Sequence, residues 1–352
     1  MSKFKCIKIG FHSESGDGFK NEIIGLLSKK YEVIEDYSDC DYFFATETIY
    51  RSYKSFEEVL KLNQATIRIF CCGEAIYSDL NLFDYVLQQN SHLKEDDRII
   101  YRPYAGQLVG SCFEASVYEL DKCKNKEAAR DILASKTKFC NFIYSNPNAH
   151  EMRDQLFYAL SNYKKVDALG SHLKNVEIAD SRYDANWEKI SIMLKKPYKF
   201  SIAAENAVFP GYTSEKLITS MLANTLPIYF GNPYVDELYN PASFINANKF
   251  LSLDELVNYV RYVDNNDDLY CEIMSQPWRT REQIENYDKH EKVFEELFFH
   301  IFDQELAVAK RRPAGTWPDL LYTNFFLSMN DSKRKESRRL DAIYKFLRRI
   351  MN

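Results

Sequence analysis

Apolar and polar positions alternate with period two from Lys3 to Phe11, the pattern of a strand, before a polar stretch at His12-Ser13-Glu14-Ser15. Gly16-Asp17-Gly18 breaks the chain, and Phe19 to Lys30 then places Ile23, Ile24, Leu26 and Leu27 on one side of a predicted helix. Tyr31 to Glu35, Asp41 to Ala45 and the β-prone Ala65 to Cys72, ending at Gly73, read as further strands. A charged, helix-like stretch over residues 113–136 reads as a linker. A second rhythm follows: strand Lys138 to Ser145, turn Asn146-Pro147-Asn148, helix Glu151 to Tyr163 and a strand end at Val166 to Gly170. Strand Tyr198 to Ala203, helix Ser214 to Ala223, strand Leu226 to Phe230, a short strand Ser243 to Asn246 and helix Leu253 to Val263 complete it. Two consecutive βαβ rhythms predict an α/β protein of two Rossmann-like domains facing each other across a cleft, with the chemistry in loops at the carboxyl ends of the strands.

Composition agrees with two ordinary cores. The 352 residues are 45% hydrophobic and 28% charged, with Gly (11) and Pro (10) too sparse for extended disorder. No apolar run approaches the roughly 20 residues that span a bilayer, and the N-terminus lacks the continuous apolar stretch of a signal peptide. The expected compartment is the cytoplasm. Cysteines 6, 40, 71, 72, 112, 123, 140 and 271 form no CxxC pair, and Cys71-Cys72 read as buried thiols rather than disulfide partners.

Charge is unevenly placed. Residues 333–352 carry eight Lys and Arg against Glu336 and Asp341, so the tail is +6 and the rest of the chain −11. An acidic body argues against a nucleic-acid partner. Leu340, Ile343, Tyr344, Leu347 and Ile350 recur at helical spacing, which predicts a basic amphipathic C-terminal helix. It suits either peripheral contact with an anionic membrane, on its inner face, or docking on the acidic body.

The densest segment for chemistry is Phe200 to Phe250. Ser214 is a plausible N-cap, and a helix opening after a strand is an anion site, because its amide N–H groups and dipole favour negative charge. Lys216 in that first turn suits a phosphate and Glu215 a ribose diol. The plainer reading is a capped helix with a solvated Glu–Lys pair. No GxxxxGK[ST] or GxGxxG occurs, which sets aside a P-loop and disfavours a dinucleotide cofactor. Asp96-Asp97 and Asp267-Asp268 read as turns rather than metal ligands, so no essential metal or other cofactor is expected.

Ala204-Glu205-Asn206, Gly211-Tyr212-Thr213-Ser214-Glu215-Lys216, Leu226-Pro227-Ile228-Tyr229-Phe230-Gly231 and Asn240 to Asn246 resemble, in order and spacing, the donor-binding signature of the GT10 α-1,3/4-fucosyltransferases of bacterial type. Lys138 to Ala149 followed by Arg153, and Gly73-Glu74 followed by Asn81 to Tyr85, are similar to two further segments of that family. The chain departs from it at Ala204, where the family has Phe, at Ser214, where it has Thr, and over Val86 to Asn90.

The resemblance implies a GT-B fold and an inverting α-1,3-fucosyltransferase. It would move L-fucose from GDP-β-L-fucose to O3 of GlcNAc in N-acetyllactosamine-type acceptors, giving a Lewis-x-like product on lipopolysaccharide or another surface glycan. It implies Glu74 as catalytic base, although its loop position alone favours an exposed acid, and Arg153 and Lys216 as phosphate-binding cations. Glu215 would bind ribose, Tyr212 the nucleotide or diphosphate, and Asn206 or Glu205 the fucose side; Asp84 reads as structural. The expected domains are an acceptor-binding one over 1–135, a GDP-fucose-binding one over 136–300 and a helical tail over 301–352. The alternatives are a GT-B enzyme with another nucleotide-sugar donor, motivated by Ala204, and a non-catalytic glycan- or nucleotide-binding protein.

Overall fold

Strands joined through helical crossovers must lie parallel, and both rhythms of the sequence do. The computed structural model describes residues 4–77, 79–90, 92–93, 96–102, 119–177, 187–313 and 321–322. The expected C-terminal helix at 333–352 and Cys112 lie outside the described residues. The chain divides into two compact units. One takes in the chain to Gln88, residues 94–100 and the chain from Glu295; the other takes in Gln89–Leu93 and Tyr101–Phe294.

The first unit is built on β1 (Cys6–Phe11), α1 (Asp17–Leu27), β2 (Glu32–Glu35), β3 (Tyr42–Thr46), α2 (Tyr53–Leu60), β4 (Ile67–Cys71), β5 (Tyr85–Gln88) and β6 (Ile99–Tyr101), with sheet order β2-β1-β3-β4-β5-β6. β1, β3, β4 and β5 pair in parallel, for example Phe44 with Ile69 and Phe70 with Val86. Phe43, Ile49, Phe56, Val59, Phe70 and Phe83 fill the space beside this sheet, each contributing about 1.5–3 kcal/mol of burial. α1 begins two residues earlier than the sequence suggests. Gly16 takes the extended cap position, and Asp17 and Gly18 enter the first turn, where the helix dipole favours the acid. Asp84 is structural, as expected: buried, it accepts bonds from the backbone N–H groups of Arg68, Arg311 and Arg312 at 2.8 Å each and pairs with the Arg312 guanidinium.

The second unit comprises α3 (Lys126–Ala134), β7 (Lys138–Phe142), α4 (Met152–Tyr163), β8 (Val166–Ala168), α5 (Trp187–Lys195), β9 (Tyr198–Ala204), α6 (Glu215–Leu222), β10 (Leu226–Phe230), β11 (Ile245–Asn246), α7 (Leu253–Asp264) and α8 (Asp267–Ser275). Its sheet is parallel, in the order β11-β10-β9-β7-β8. Phe142, Leu156, Val166, Phe200, Ile228, Val260 and Tyr270 belong to its main core. The division between units falls within the long helix α9 (Arg281–Asp303).

Three expectations need correction. Asp267 and Asp268 open α8 rather than forming a turn, because the Asn266 side chain caps it by accepting from the Leu269 N–H at 3.0 Å. Pro241 starts a single 3-10 turn, which leaves only Ile245-Asn246 of the expected strand. Cys72 is buried but its neighbour Cys71 is only half-buried; all the described cysteines are free thiols.

Candidate active site

Glu205 follows the last residue of β9 and is wholly buried. Its backbone N–H donates to Phe230 O at 2.8 Å, which ties it to the end of β10. One carboxylate oxygen accepts the Ser214 N–H at 2.7 Å; the other accepts the Ser214 hydroxyl at 2.6 Å and stands 3.3 Å from Lys216 Nζ. Room for this carboxylate comes from Gly231, at φ +150°: a Cβ there would lie 2.4 Å from Glu205 Cγ. Gly211, at φ +79°, is equally required, since a Cβ there would lie 2.0 Å from Gln89 O.

Ser214 occupies the N-cap position of α6 but makes no side-chain cap bond. Its hydroxyl instead donates to the buried Glu205 carboxylate, and its oxygen accepts from Lys216 Nζ at 2.8 Å. That oxygen therefore leaves the amide end of α6 open, with Glu215 and Lys216 in its first turn. Burial pushes the Glu205 carboxyl above its usual range despite the pull of Lys216. Burial also disfavours charge on Lys216, but Glu205 and Glu215 outweigh it and raise its pKa. At Glu215 burial is opposed chiefly by Lys216, and the balance lies below the usual value.

A second cation arrives from α4. Arg153 is 1% exposed, and its guanidinium lies 4.7 Å from the centre of the Tyr144 ring. Nη1 donates to Asn206 Oδ1 at 3.3 Å and Nη2 to Asn146 O at 2.5 Å, so the loops after β7 and β9 are joined through one planar group. Tyr144 is itself fixed on β9: its hydroxyl donates to Ile202 O at 3.0 Å and accepts the Ala204 N–H at 2.7 Å. Asn206 O receives the His150 N–H at 2.7 Å.

These groups wall a cavity of about 350 Å³ at the carboxyl ends of β7, β8 and β9. Its lining combines the polar Tyr144, Asn146, Arg153, Asn206, Glu215 and Lys216 with the apolar Ile143, Leu169, Leu194 and Trp187. Such a mixed lining, with two cations among it, suits a ligand that carries both an anionic group and apolar surface. Among the described residues, no group of three His, Cys, Asp or Glu is placed to hold a metal ion.

Residues 133–308, half of the chain, match the family model for glycosyltransferase family 10 (fucosyltransferase), C-terminal part. The chain belongs to glycosyltransferase family 10. This family 10 chain is similar to the α-(1,3)-fucosyltransferase FucT of Helicobacter pylori, at 27% identity over 284 residues, covering 73% of this chain and 56% of that protein. It is also similar to the putative fucosyltransferase R654 of Acanthamoeba polyphaga mimivirus, at 38% over 151 residues, covering 42% of this chain and 25% of that one. The chain thus spans between a quarter and just over half the length of these two relatives. A solved α1,3-fucosyltransferase with GDP-fucose shares the fold, with TM-score 0.64 and 24% identity over 89% of this chain and 95% of that one. The fold is GT-B, with two Rossmann-like domains.

Of the residues singled out in this family 10 sequence, Arg153, Asn206, Glu215 and Lys216 converge on the cavity. Glu205 and Tyr212 are not in its walls. Glu205 lies behind Lys216 with its oxygens already engaged, and Tyr212 is 3% exposed, its N–H donating to Phe209 O at 3.1 Å. Ala204 is also fully buried, away from the cavity walls. Glu74, in the first unit, is exposed in the turn after β4, where its carbonyl accepts from Ile76 N at 2.9 Å and from the Cys72 thiol at 3.0 Å.

Sequence reasoning missed Tyr144, Asn146, Trp187, Lys195 and Thr219. For α5 the signal was present: Trp187, Ser191, Leu194 and Lys195 follow helical spacing, and all four line the cavity. No comparable signal marked Tyr144, whose role depends on which ring Arg153 meets.

Proposed function

We propose that this protein transfers L-fucose from GDP-β-L-fucose to O3 of GlcNAc in N-acetyllactosamine-type glycans, with inversion at the anomeric carbon. The observation that carries the reading is the placement of Arg153 and Lys216 in one cavity beside Glu215, at strand ends where a nucleotide binds. Membership of family 10 and the names of the similar proteins support the donor and the reaction type.

In this reaction the acceptor oxygen forms a bond to C1 as the bond from C1 to the diphosphate oxygen breaks. The electron pair leaves with GDP, and the acceptor proton passes to a carboxylate. Arg153 and Lys216 neutralise the charge that grows on the departing diphosphate; preorganised donors of this kind are worth about 10²–10³ in rate. The open amide end of α6 adds its dipole to the same charge. Glu215 accepts from the ribose hydroxyls, and Ile143, Leu169 and Trp187 receive the base. Glu74 is the proposed base for the acceptor hydroxyl. Asn206 holds Arg153 and meets the sugar, and Glu205 acts through Ser214 and Lys216. Tyr212 supports the loop that brings Ser214 into place. On this reading the two protein cations neutralise the diphosphate without a metal.

Ala204, the motive for considering another donor sugar, is not among the residues that line the cavity. No helix among the described residues is long and apolar enough to cross a membrane. The deciding experiment is incubation with GDP-fucose and type 1 and type 2 N-acetyllactosamine chains, followed by linkage analysis. An α-1,3-fucosylated type 2 product is expected. Turnover of a UDP-sugar in place of GDP-fucose would overturn the reading.

A further inference from the structure

Lys195 lines the cavity but has no part in the reaction as described. It ends α5 and is 5% exposed. Lysine is almost never buried to this extent without an anionic partner. Here Nζ meets two neutral hydroxyls, Thr219 Oγ1 at 2.6 Å and Ser220 Oγ at 3.3 Å. Both hydroxyls belong to α6. Thr219 Oγ1 also reaches Glu215 O at 2.7 Å, and Ser220 Oγ reaches Lys216 O at 2.8 Å. The amine is therefore fastened to the helix turn that carries two of the proposed donor-binding residues. An ammonium has three N–H groups, and the hydrogen bonds of Nζ to described residues account for two.

The charges around it are mixed. From α6 come Glu215, which favours the ammonium, and Lys216, which opposes it; Glu188, on the same helix as Lys195, acts on Glu215. Burial is the largest influence on Lys195 and brings its pKa down to about 7. An anion placed in the cavity would favour the charged form.

We propose that Lys195 is a third cation of the donor site, which takes up a proton as a nucleoside diphosphate enters and then donates its remaining N–H to it. This rests on the reading of the cavity as a nucleotide-sugar site. At pH 8 the free protein holds Lys195 mostly as the neutral amine. The terminal phosphate of GDP, ionising near pH 6, is then already fully charged. Proton uptake on binding at that pH therefore reports the lysine.

The test is calorimetric titration of GDP into the intact protein at pH 8, in two buffers of different ionisation enthalpy. Wild type should take up most of one proton per GDP. Lys195→Met should take up none and bind about 10- to 100-fold more weakly, the usual loss for a charge-assisted bond. Lys195→Arg should regain affinity without uptake, because a guanidinium stays charged. Uptake in Lys195→Arg equal to wild type, or unchanged GDP affinity in Lys195→Met, would overturn the proposal while leaving the donor site in place. Failure of wild type to bind GDP would remove both.

Discussion

Glu205, with none of its surface exposed, holds its carboxylate 3.3 Å from Lys216 Nζ and binds Ser214 through both oxygens. A buried acid thus sets where the proposed phosphate-binding lysine stands without touching the cavity itself. The same contact frees the amide end of α6, because the Ser214 hydroxyl is drawn away from it.

Glu205→Gln separates stability from function. The folded-state pKa of Glu205 lies above its ordinary 4.5, so its contribution to stability is present below pH 4.5 and is lost as pH rises through the folded value. The neutral amide should therefore be at least as stable as wild type at pH 8, with the difference vanishing below pH 4.5. GDP affinity should fall about tenfold, since an amide nitrogen cannot accept from Ser214 or Lys216. Chemical denaturation across pH and GDP titration check the two halves.

Arg153→Lys keeps the charge but loses the planar fork that reaches Asn206 and Asn146, along with the stacking on Tyr144. Transfer rate should drop by about 100-fold with the fold intact. Steady-state kinetics with circular dichroism would show it; a variant of near wild-type rate would remove Arg153 from its role.

Glu74→Gln should reduce transfer by about 10²–10⁴-fold, the range for loss of a general base. GDP affinity should stay at the wild-type level. Retention of full transfer would assign the base to another group.

Gly170→Ala places a methyl group 2.0 Å from Tyr144 O, a backbone atom that cannot swing aside. Stability should fall by about 1–3 kcal/mol. GDP affinity should fall too, because Tyr144 carries Arg153. Thermal unfolding with and without GDP reads both effects.

Prolonged dialysis against EDTA should leave the rate of fucosyl transfer unchanged, as expected where two cationic side chains neutralise the diphosphate. A rate restored only by added Mg²⁺ or Mn²⁺ would refute it.

Strands β1–β4 and β7–β11 and helices α1, α4, α6 and α7 were legible in the sequence, because period-two and helical apolar patterns report local backbone state and the face that is buried; β5, β6, α2, α5, α8 and α9 were not read. Ile67–Cys71 and Leu226–Phe230 are examples: short, β-prone, nearly continuous apolar runs that only a sheet covered on both sides accommodates. Arg153, Asn206, Glu215 and Lys216 were legible for a different reason, their resemblance to an ordered family signature. Spacing alone left Glu215 and Lys216 as a solvated pair on a capped helix.

Tertiary structure decided what those groups do to one another. Ser214 has the residue type and position of a helix cap, yet its hydroxyl goes to Glu205, a choice set by a carboxylate nine residues away that Gly231 leaves room for. Asp267 and Asp268 look like a turn until Asn266 caps the helix they begin. Lys195 meets Thr219 and Ser220 only because α5 packs against α6. Local pattern fixes which residues are helix or strand; the partner of a polar group, and hence its charge, depends on distances between segments far apart in the chain.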